Sequence, residues 1–71
     1  MTLLLDDQLA LARQHVVEGE ARRARLAALV LHSKAQGFDT SEAEHLLAHI
    51  EDTLVLMREH QRHLQAEHDS R

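Results

Sequence analysis

The chain has 71 residues, with two Gly, one Phe and no Cys, Pro, Trp or Tyr. That composition excludes a disulfide scaffold, a Cys-built zinc site, a thiol nucleophile and an aromatic platform for stacking bases. Eight Lys and Arg against twelve Asp and Glu leave a net charge of −4 with the seven His neutral, which argues against a strongly basic nucleic-acid binder.

A chain this short seldom buries enough apolar surface alone; without disulfides, a metal or a partner chain supplies the rest. Leu3, Leu4 and Leu5 form an apolar run, but no basic residue precedes it and Asp6 and Asp7 close it, so no secretory leader is expected. No stretch approaches the roughly 20 apolar residues of a membrane span. The expectation is a soluble, cytoplasmic protein with no membrane contact.

In chain order, residues 6–36 are rich in Ala, Leu, Arg, Gln and Glu, and predict a first helix. Gly37 follows where a left-handed residue ends a helix, and the turn is expected at 37–39. Asp39 is the expected N-cap of a second helix, with Glu42 completing a capping box; Ser41 with Glu44 is the alternative. The second helix is predicted over 40–66, with a frayed, polar end. The fold class is therefore all-α: a two-helix antiparallel hairpin, a single domain over residues 1–71. A helix of about 30 residues is roughly 45 Å long, against a radius of gyration of about 11 Å for a compact chain of this size, so the hairpin should be a rod.

The apolar pattern of the second helix is a single seam: Ala43, Leu47, Ile50, Leu54, Met57, Gln61 and Leu64 alternate at spacings of four and three. The first helix carries two. One is Leu9, Ala12, Val16, Gly19, Arg23, Leu26 and Val30; the other is Ala10, Val17, Ala21, Ala24, Ala28, Leu31 and Ala35. At about 100° per residue the two lie roughly 130–150° apart, so one neighbouring helix covers only one of them. The second seam, nearly all Ala, implies a partner. The expectation is a homodimeric four-helix bundle with Ala21, Ala24, Ala28, Leu31 and Ala35 at the dimer interface. Gly19, inside the first helix, costs about 1 kcal/mol relative to Ala and points to close packing at a helix crossing, or else to a bend. Arg23 takes a seam position, where a charge can fix register or reach an acidic partner.

The strings Ala12-Arg13-Gln14-His15-Val16-Val17-Glu18-Gly19-Glu20 and Gly37-Phe38-Asp39-Thr40-Ser41-Glu42-Ala43-Glu44, with Glu51-Asp52-Thr53-Leu54 and His60, resemble a group of short uncharacterised proteobacterial helical-hairpin proteins. The resemblance runs from about residue 9 to 64. It implies kinship over most of the chain and no particular activity. Where those proteins often have His after the turn glycine, this chain has Phe38.

Seven His in so short a chain need an account. His45 and His49 are one turn apart, a spacing that presents two imidazoles to one zinc ion, and His60 and His63 continue the same stripe past Asp52 and Leu56. His45 and His60 lie roughly 22 Å apart along a helix, so neither pair completes the other's site within one chain. A solvated polar face is the expected role, with no metal and no cofactor. His15 is expected to contact Glu18 on the helix surface. Of the possible nucleophiles Ser33, Ser41 and Ser70, none is expected to meet a cleft, and His32 beside Ser33 and Lys34 resembles a phosphotransfer helix only loosely. Arg13, Arg22, Arg23 and Arg25 form a basic cluster that neighbouring Glu residues offset. The expected function is that of a small non-enzymatic interaction or structural protein acting as a helical-bundle dimer, a regulatory adaptor with an unidentified protein partner. The alternatives are a His-dependent metal-binding protein and a Rop-like RNA-binding helical dimer.

Overall fold

Leucine- and alanine-rich sequence without proline folds into two long helices. α1 spans Leu5–Ala35 and α2 spans Ser41–Asp69. The computed structural model describes residues 4–70, so Leu3 of the apolar run lies outside the described residues. Leu4 caps α1 with extended backbone, and Asp6 and Asp7 place carboxylates in its first turn, where they complement the helix dipole.

The end of α1 is chemically defined. Gly37 takes φ +83°, as expected for a glycine just past a helix. This reverses the chain so that the Phe38 amide donates to the Ser33 carbonyl and the Gly37 amide to the Lys34 carbonyl, both at 3.0 Å. The paired bonds satisfy carbonyls that the helix end would otherwise leave without donors.

The start of α2 differs by one residue from the sequence expectation. Thr40, not Asp39, holds the N-cap position. Asp39 still binds the helix start: its Oδ1 accepts from the Ser41 amide at 3.0 Å and from the Ser41 hydroxyl at 2.6 Å. Its short side chain reaches two residues ahead and forms an Asx-type turn, which competes with the capping box. The buried Thr40 donates its hydroxyl to Glu44 Oε2 at 3.2 Å. α2 also runs three residues beyond the expected end. Gln65 donates to Asp69 Oδ1 at 2.9 Å one turn on, and Ser70 closes the helix on the Ala66 and Glu67 carbonyls.

The helices pack antiparallel into a rod of 54 × 20 × 16 Å with a radius of gyration of 16.1 Å. The core is one line of side chains: Leu9, Ala12, Val16 and Val30 of α1 and Leu54 and Leu64 of α2 are buried. Gly19 is buried between them, and Leu26, Ala43, Leu47, Ile50, Met57 and Gln61 are half-buried along the same line. The first seam of α1 and the seam of α2 thus meet as the spacing requires. α1 continues unbroken through Gly19, which leaves close packing as the reason for the glycine. At the open end Leu9, Ala12 and Leu64 form a cluster with Leu5 packed against it.

Candidate functional site

The line of contact between the helices divides the rod into two flanks. On one flank polar side chains bridge the groove along its length. Arg13 donates to Gln65 Oε1, and Arg58 lies 3.5 Å from Glu20. Arg23 donates through two nitrogens to Glu51 Oε2 at 3.2 and 3.1 Å, and Lys34 Nζ lies 2.8 Å from Glu44 Oε1. The side chains of Arg23 and Glu51 are each 46% exposed, so such a pair contributes about 1 kcal/mol or less. Arg23 therefore swings its charge off the seam to an acidic residue of the facing helix, one of the two uses expected for a charge at that register.

At the turn, the bond from Lys34 and then that from Thr40 lower the Glu44 carboxyl below its ordinary value. The Ser41 hydroxyl and then the Ser41 amide do the same for Asp39.

The opposite flank is apolar at its middle. A groove of about 190 Å³ is lined by Gly19, Arg22, His49, Ile50, Thr53, Leu54 and Met57. Leu11 and Leu29 lie on the same stripe of α1 as Arg22 and are 42% and 56% exposed. Leu46, on the matching stripe of α2, is 51% exposed. None of the bridging pairs described above lies on this flank. Among the described residues neither Arg22 nor Arg25 is paired with a carboxylate.

The expected interface residues Ala21, Ala24, Ala28 and Ala35 are exposed, as are Leu31 and Val17. They run down the side of α1 turned away from α2, toward the bridged flank. His45, His49, His60 and His63 are all exposed, with Asp52 and Leu56 between the pairs. Among the described residues no three His, Asp or Glu gather in an arrangement that could hold a metal ion. The expected polar contact of His15 with Glu18 is not made as a hydrogen bond or ion pair; Glu18 instead accepts from Gln14 Nε2 at 3.0 Å, since the four-residue spacing aligns those two side chains. His32 Nε2 lies 3.1 Å from Gln36 Nε2. The hydroxyls of Ser41 and Ser70 are taken by Asp39 and by the Glu67 carbonyl.

A further pair without a counterpart among the sequence expectations joins the two ends of the hairpin. His68 Nε2 lies 2.7 Å from Asp6 Oδ1 and ties the last turn of α2 to the first of α1. No local motif marks it; only the register of the hairpin brings the two residues level.

No family model, curated protein or solved structure matches this chain. No helix of the described residues is long and apolar enough to cross a membrane.

Proposed function

We propose that the protein is a small non-enzymatic interaction protein of the cytoplasm that works as a homodimeric helical bundle. The observation that carries this reading is the apolar surface that one hairpin leaves uncovered. Leu11, Val17, Leu29, Leu31, Leu46, Val55 and Leu56 are each at least 42% exposed, while among the described residues six apolar side chains are buried. A second copy is the simplest cover, because an isologous contact uses one surface twice.

Two faces can take another helix: the Ala-rich face of Ala21, Ala24, Ala28, Leu31 and Ala35, and the open flank at Gly19. The small residues of the first allow close approach. A hairpin laid across both helices on that side would, however, also cover the Arg23–Glu51 and Glu20–Arg58 pairs, and burying ion pairs costs free energy. Whichever face the dimer leaves free is the docking surface of an adaptor. Light scattering on the purified protein and on Ala28→Glu tests the reading. A dimer supports it, and a folded monomer at all concentrations refutes it. Loss of the dimer in Ala28→Glu assigns the contact to the Ala-rich face; an intact dimer leaves that face for another protein.

A further inference from the structure

The open flank has a symmetry that the bridged flank lacks. Its stripe on α1 is Leu11, His15, Glu18, Arg22, Arg25 and Leu29. Gly19 stands within one residue of the midpoint of α1, and Leu54 within one residue of the midpoint of α2. A two-fold axis across the rod at this level lays α1 antiparallel on α1 of a second copy. Residues equally far before and after the midpoint then meet. Leu11 falls opposite Leu29 of the copy, and Glu18 falls opposite Arg22 of the copy; the two-fold repeats each pair. On α2 the same operation sets Thr53 opposite Met57. Glu18 and Arg22 are complementary where they meet, His15 falls opposite Arg25, the leucines meet at both ends, and the apolar groove beside Gly19 lies on the axis.

We infer that the open flank is the seat of a second copy of this chain, antiparallel, with Glu18 of each protomer paired with Arg22 of the other. This rests on the dimer reading above and moves the contact from the Ala-rich face to the open flank. Arg22, which has no carboxylate partner among the described residues of its own chain, gains one in the dimer. The Ala-rich face then stays on the outside of the bundle, free for a protein partner.

The chain has no Cys, so introduced thiols report the register cleanly. Leu11 and Leu29 are roughly 27 Å apart on one helix, too far for a disulfide within a chain. Oxidised L11C/L29C should run as a covalent dimer, while L11C alone and L29C alone should stay uncrosslinked at low protein concentration. In a second experiment, E18R and R22E should each raise the dimer dissociation constant by about tenfold or more, since like charges then meet at both symmetric positions. The double variant E18R/R22E should restore it to within about threefold of the original, because the swap re-forms both pairs. A dimer by light scattering in which L11C/L29C fails to crosslink and the swap fails to rescue overturns this inference and leaves the dimer reading standing. A folded monomer overturns both.

Discussion

Gly19 of α1 packs directly against the side chain of Leu54 of α2. A Cβ placed on Gly19 would lie 2.7 Å from Leu54 Cδ2 and 3.5 Å from Met57 Sδ. Leu54 is the most deeply buried side chain of the hairpin, at 1% exposure, so it has little room to yield. Ala at a helix interior gains about 1 kcal/mol over Gly, whereas overpacking a tight core costs about 1–3 kcal/mol. Gly19→Ala should therefore destabilise by up to about 2 kcal/mol in urea unfolding. In a Leu54→Val background, where the crowding methyl is gone, the same change should be neutral or stabilising. A stabilising Gly19→Ala in the native background would mean that the helices do not meet there.

Leu54→Ala should cost about 2–4 kcal/mol, the usual range for emptying a buried leucine site. The loss should appear in the urea midpoint with the helical signal of the folded state retained. A loss below about 1 kcal/mol would contradict the burial of this side chain.

Much of this fold is legible in the sequence because helical periodicity is a physical constraint on which residues share a face. Spacings of four and three are enough to set Leu9, Val16 and Val30 against Leu54 and Leu64. The cap glycine is legible because few other residues take a positive φ. The N-cap shifts by one residue because Asp39 and Thr40 are both competent, and which one caps depends on side-chain geometry that spacing does not encode. Glu18 pairs with Gln14 rather than with His15 for a similar reason: both spacings are allowed on a helix and rotamers decide. The bridges Asp6–His68, Arg23–Glu51 and Lys34–Glu44 depend on the register of the hairpin. Folding the chain back about Gly37 brings each pair level.

Gly37→Val should destabilise by at least about 1 kcal/mol, since a β-branched residue resists φ +83°. Space is not the cause, as a Cβ there would meet nothing within 4 Å. Gly37→Asn should cost less, because Asn tolerates the left-handed region better. Equal losses for the two variants in thermal unfolding would show that the turn has another conformation.

Acid should weaken the turn. The Lys34 bond, with the Thr40 bond second, lowers the Glu44 carboxyl below its ordinary 4.5, so the unfolded chain takes up this proton more readily than the folded one. The resulting stability is present above the ordinary value and is lost as pH falls through the lowered one. Glu44→Gln removes this dependence. The stability difference between the two proteins should be steady near pH 6 and should shrink as pH falls from about 4.5 toward 3. A difference that stays constant across that range would mean that Glu44 has no charged partner at the turn.

Self-association is the point on which the functional reading turns, and sedimentation equilibrium over a range of concentrations measures it directly. The expected result is a folded species of twice the chain mass of 8.1 kDa, dissociating on dilution. A folded, fully helical species of 8.1 kDa at every concentration would contradict it.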